Sequence, residues 1–281
     1  MKITLFFLNQ TSYLIGALML QIFIVTFKGI FRDRVFRGIA ICAIFFLLIP
    51  SVSALSMRQV VELSITLTLS LLSVMMLLLS VFLGGTSLWK DMERRYTYGV
   101  LGLPISRTNY LLGKFFGTAA FMLLTSLILG VVGAAVVKYV SLLYPPLRPV
   151  VWQNILLAIY FIMLKYTLLV AMAFLLSTVS TSFFLPIFGT LSVFFVGSAT
   201  QQVYDFLHSP SAQNYPLLLK NAVTGLYYVL PNLSAFDLSA NAAYGVSLSA
   251  SGVALTVIYF IAYTAIILTV SAIVFARREM K

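Results

Sequence analysis

Apolar residues run through this chain in blocks too long for the core of a small soluble domain. Residues 63–89 and 115–137 contain no charged side chain, and about 20 apolar residues suffice for a helix to cross a bilayer. Further apolar runs predict spans over 38–56, 151–176, 183–203 and 252–275, six in all. None shows the strict polar–apolar alternation of a membrane β-barrel strand. The fold class is therefore all-α, a polytopic membrane protein with one transmembrane domain and no soluble domain between spans. Pro50 is expected to kink the first span, and Pro186 lies within the fifth. Gly84 and Gly85 allow another helix close to the second span near its end. Pro145, Pro146 and Pro149 break the chain into a turn after the third span, and 177–182 forms a tight uncharged turn after the fourth.

The N-terminal run, 3–27, is also uncharged and long enough to span. Gln10, Gln21, Lys28 and Arg32 make a narrow polar stripe on a helix, which favours a helix lying along the membrane interface from about Gln21 to Arg34. A seventh span is the alternative. No small-residue cleavage site closes the run, which argues against a removable signal peptide.

Charge changes the picture at one place. Between the second and third spans, positions 89–114 hold seven charges: Lys90, Asp91, Glu93, Arg94, Arg95, Arg107 and Lys114. A charged hairpin between two membrane-length runs must sit in water at one face of the bilayer. Residues 91–103 read as a short amphipathic helix. Tyr96, Val100 and Leu103 share one face, Glu93 and Arg94 lie elsewhere, and Pro104 stops the helix. Ser106 is placed to cap the next span, with Arg107 behind it. An ordinary solvated basic loop would carry much of the same pattern.

The whole chain of 281 residues is 61% hydrophobic and 9% charged, against about 25% charged in soluble domains. Its mean hydropathy is +1.05. The net charge of +11 does not call for nucleic acid. With the hairpin placed in the cytoplasm, thirteen basic residues face inward, among them Lys2 and Arg277. Four face outward (Arg58, Lys138, Arg148 and Lys220), and Lys165 lies within the membrane. That asymmetry is what insertion requires, so the charge reports orientation, with both termini cytoplasmic.

Candidate chemistry is sparse. Cys42 and His208 are the sole residues of their kinds, which excludes a disulfide, a thiolate metal site and a bis-histidine haem within one chain. No cofactor is expected. Asp205, His208 and Asp237 are scattered through the external segment, 204–250, and read as solvated rather than as a metal site. An apolar stretch at 216–229 predicts a short surface helix there. Gly113-Lys114 has Thr108 where a phosphate-binding loop needs its first glycine, so the chain has no such loop for ATP. Lys165, the one charge deep in a span, is a candidate pathway residue; a lysine bonded to backbone in the bundle interior, or snorkelling, is the alternative.

The hairpin, 90–107, resembles the cytoplasmic loop of type-2 ATP-binding-cassette (ABC) transporter permeases. Asp91, Glu93 and Arg95 match the charged part, Pro104, Ile105, Ser106 and Arg107 the turn, and Leu112, Gly113 and Lys114 the element after it. Tyr96 departs from that pattern, where threonine is common. PNLSAFD at 231–237 and the basic FARRE at 275–279 extend the resemblance across most of the chain. It implies an elbow helix within 1–37, a coupling helix that docks on a separate cytoplasmic ATPase, and a second permease copy. It also implies export across the cytoplasmic, inner membrane. On that reading Asp91, Glu93, Arg95, Tyr96, Val100, Leu103, Pro104 and Arg107 couple to the ATPase, and the chain itself is no enzyme. Two rivals stand beside it: a secondary transporter or channel, and a membrane subunit for maturing a periplasmic metalloenzyme.

Overall fold

The computed structural model describes residues 2–46, 50, 52–53, 56, 59–93, 106–146, 148–210 and 215–278, with the side chains of 2–15, 17, 35 and 44–46 left aside. Among the described residues there is no strand. The helices are α1 (Lys2–Arg32), α2 (Arg34–Phe46), α3 (Val60–Glu93), α4 (Arg107–Leu143), α5 (Trp152–Val179), α6 (Phe184–Leu207), α7 (Leu217–Val229), α8 (Ser239–Tyr244) and α9 (Ala250–Arg277).

Five of these, α3, α4, α5, α6 and α9, are long and apolar enough to cross a membrane. They correspond to the second to sixth expected spans, each within a few residues. One boundary signal acts as the sequence implies, and a second is seen in the structure. The Ser106 hydroxyl accepts from the Asn109 N–H at 3.2 Å and opens α4. The Ser249 hydroxyl does the same for Gly252 and opens α9. The first expected span, 38–56, falls on the 13-residue α2 and then on residues mostly outside those described.

The N-terminal helix differs from the sequence reading in length and surroundings. It is one helix of 31 residues, reaching further toward the N-terminus than the stretch 21–34 that the polar stripe marks. Its second half lies against α4 because Gly113 and Gly117, four apart, open a groove. A Cβ on Gly117 would stand 2.9 Å from the Phe23 carbonyl oxygen and 2.9 Å from the Thr26 Cβ. Lipid offers no hydrophobic drive between helices, so such close backbone approach is what holds them together. Phe121 of α4 extends the contact, meeting Phe27, Phe31 and Phe36 edge-on at 5.9, 5.1 and 4.8 Å. Gly117→Ile is expected to lift α1 off α4 and to cost about 1–3 kcal/mol. Thermal unfolding in detergent and limited proteolysis of α1 would register it. An unchanged midpoint with α1 still protected would show that the groove does not carry this packing.

At the centre stands α5. In its apolar window 78% of residues are buried, against 50% or less in the other four long helices. Tyr166, Phe161 and Phe174 are among its fully buried side chains. Gly84 of α3 approaches it so closely that a Cβ would meet that of Ala173 at 2.9 Å, as the glycine pair implied. Just there, Ser80–Gly84 forms a π-helical turn inside α3. Such turns are rare and are found frequently at functional sites.

At the opposite end from the charged hairpin, the segment after α6 is not confined to the surface. The expected short helix is present as α7. Beyond it the chain turns inward, and Leu233 and Phe236 are fully buried. The Leu233 N–H donates to the Gly197 carbonyl at 2.9 Å, and Phe236 packs on Phe161.

Candidate functional site

The charged end of the bundle is held by a network of ion pairs and carbonyl contacts. The helix-forming run Leu88–Glu93 contains no glycine or proline, so α3 does not stop at Trp89 but runs on to Glu93. Asp91 is therefore continuous with α3, and 94–103 of the expected helix lie outside the described residues. The Asp91 carboxylate faces back into the bundle. The Oδ2 atom accepts from both the Lys114 ammonium and the Tyr110 hydroxyl of α4. The Lys114 Nζ also donates to the Ser87 carbonyl at 2.6 Å, and the residue is 5% exposed. A lysine so deeply buried requires a counter-charge and acceptors for its donors, and the Asp91 carboxylate and the Ser87 carbonyl supply them. The two helices that flank the hairpin are thus joined where they leave the membrane-length segments.

Arginines tie in the remaining helices. Arg107, the first residue of α4, donates to the Ala276 carbonyl at 3.1 Å and the Arg278 carbonyl at 2.7 Å, at the end of α9. Arg278 in turn donates to the carbonyls of Ser177 (3.1 Å), Thr178 (2.7 Å) and Ser180 (2.6 Å). Those are the unpaired last carbonyls of α5, the negative end of its dipole, where a cation is favoured. The Ser177 hydroxyl donates to the Gly85 carbonyl at 3.0 Å, linking α5 back to α3. On the outer flank Lys90 pairs with Asp33, between α1 and α2, at 3.3 Å. A cleft of about 250 Å³ opens beside it, lined by Gly29, Asp33, Ser87, Lys90, Asp91 and Lys114.

Of the residues singled out in the sequence, Asp91 and Arg107 come together in this network, and Glu93 is exposed beside it. Arg95, Tyr96, Val100, Leu103 and Pro104 lie outside the described residues. Sequence reasoning missed Tyr110, Lys114 as a counter-ion, and Arg278 as a helix cap. Lys114 had a signal, a charge about two turns into the third span at the edge of its uncharged run, which demands a partner.

Lys165 sits midway along α5, 8% exposed, with its Nζ 5.7 Å from the Tyr166 ring and 5.2 Å from the Phe194 ring of α6. Asp237, in the turned-in segment, is the acidic group whose charge acts on it. The Tyr166 hydroxyl is hydrogen-bonded to that of Ser73 at 2.5 Å.

Asp205, His208 and Asp237 have separate local tasks. Asp205 accepts from Gln201 at 2.9 and 3.0 Å, His208 Nδ1 meets the Tyr204 carbonyl at 2.9 Å, and Asp237 caps α8 through Ser239. Among the described residues no three His, Cys, Asp or Glu side chains gather for a metal ion.

No family model matches the chain, and no curated protein matches its sequence.

Proposed function

We propose that the chain is the permease subunit of an ABC exporter. Six spans, the first through α2, would form half of a transmembrane pathway in the inner (cytoplasmic) membrane, with α1 as the elbow helix. Two permease copies would pair, and both termini would be cytoplasmic. A separate ATPase subunit would supply the energy, since the chain has no phosphate-binding loop. The observation that carries this reading is the way both roots of the charged hairpin are anchored. Asp91 on α3 holds Lys114 and Tyr110 on α4, and Arg107 holds the end of α9. A push on 94–105 would therefore reach three long helices as a unit instead of being lost in a loose loop. The π-helical turn at Ser80–Gly84 gives α3 a place to bend in response.

The experiment is purification in mild detergent from the native host with an ATPase assay. ATP hydrolysis should co-purify with the chain and depend on the intact complex. A stable complex lacking any nucleotide-binding chain would sink the proposal.

Lys165 is assigned to the pathway or its polar lining. Lys165→Met should abolish most transport while leaving insertion and complex yield unchanged, because only the charge is lost from a side chain of similar length. Full transport in that variant would make Lys165 a packing residue.

A further inference from the structure

At the end of the bundle away from the charged hairpin, a cavity of about 340 Å³ lies between α7, the segment after it, and α9. It is lined by Tyr227, Tyr228, Leu230, Asn232, Ala235, Tyr259 and Tyr263. Its size is within the range of small-molecule sites. The four tyrosines come as two non-parallel pairs. Tyr227 and Tyr228 have ring centroids 5.5 Å apart at 79°, and Tyr259 and Tyr263 5.4 Å apart at 44°. Tyr204 stacks behind Tyr227 at 4.3 Å and 20°, bracing it.

Three of the lining residues, Asn232, Tyr259 and Tyr263, are fixed by hydrogen bonds. Tyr263 donates to the Val229 carbonyl at 2.6 Å, and Tyr259 accepts from the Asn232 N–H at 2.9 Å. The Asn232 amide donates to Gln201 at 2.6 Å and its oxygen accepts from Ser234. Four of the seven lining residues are tyrosines, which gives aromatic surface from several directions, the environment that suits a cation with no N–H to satisfy. Asp205, next to Tyr204, adds negative charge at the cluster. The one basic residue of α7, Lys220, is seven positions before Tyr227, about 10 Å along the helix.

We propose that this cavity binds a quaternary ammonium group, carried either by a free small molecule or by a lipid headgroup. The proposal is independent of the transport reading. The test uses the full chain in nanodiscs of phosphatidylethanolamine and phosphatidylglycerol, titrated with radiolabelled choline. Saturable binding is expected, displaced by tetramethylammonium and not by ammonium. Tyr228→Ala, at a side chain 72% exposed and so removable without disturbing the packing, should weaken binding about tenfold, as should Tyr227→Ala. Tyr227→Phe, which keeps the ring, should bind nearly as the parent does. Unfolding midpoints of all variants separate lost binding from lost folding. Repeating the titration in phosphatidylcholine nanodiscs assigns the source. Choline excluded by the bilayer means a lipid headgroup, and choline still bound means a free ligand. No saturable binding of choline or tetramethylammonium to the folded parent, or binding unchanged in both alanine variants, would overturn the proposal.

Discussion

Asp91→Ala will lower the stability of the purified chain by about 3 kcal/mol, read as a drop in its thermal unfolding midpoint in detergent. The reason lies with Lys114. Its side chain is 7% exposed, and the Asp91 carboxylate is its counter-charge within the network. Breaking a buried pair costs about 3–5 kcal/mol, mostly because the remaining charge is left without compensation. The Asp91 side chain is 26% exposed, so water can re-enter and the cost falls at the lower end. Tyr110 would lose its acceptor as well. Adding Lys114→Met to Asp91→Ala removes the stranded charge, so the double variant should recover a substantial part of the loss. Strict additivity of the two single costs would show that Asp91 and Lys114 do not act as a pair.

The second large effect is expected in 94–105. On the proposed reading, Tyr96, Val100 and Leu103 fill a cleft in the ATPase while Glu93 and Arg95 fix orientation. Truncating a packed aromatic anchor commonly costs more than about 2 kcal/mol, whereas a charge at the rim costs less. Tyr96→Ala should therefore reduce complex yield and coupled ATPase rate by about tenfold or more. Glu93→Ala should reduce them much less, since that residue is exposed at the end of α3. Pro104→Ala should act by a different route, letting a helix run on and misdirecting the start of α4. Wild-type assembly and transport in all three variants would reduce the segment to a basic loop that only sets topology.

The long helices were legible because the signals that make them are local. An uncharged run states its own length, and Ser106 after Pro104 states a helix start. The site was legible only in part, because its bonds join residues far apart in sequence. Asp91 finds Lys114 across 23 positions, and Arg278 reaches carbonyls about 100 positions earlier. Nothing beside Arg278 in the sequence distinguishes a cap on α5 from an ordinary cationic tail. Helix α3 continues past Trp89 to Glu93 because no glycine or proline interrupts it, so the charged residues that follow the apolar run stay on it. The α1–α4 contact also had a readable mark. Gly113 and Gly117 have the spacing that brings helices together, but Gly113 was weighed only beside Lys114 as a fragment of other motifs. The π-helical turn has no counterpart in the pattern of residues. It belongs to the register between α3 and α5 at Gly84 and Ala173.

The most direct test places a photocrosslinking residue at position 96 or 100 in the native host and identifies the adduct by mass spectrometry. A control crosslinker at Leu218, exposed at the other end of the molecule, samples the opposite face. The account predicts an adduct from positions 96 and 100 with a chain that carries a phosphate-binding loop, and none from position 218. Folded, membrane-inserted protein that yields no nucleotide-binding adduct from either hairpin position would contradict it.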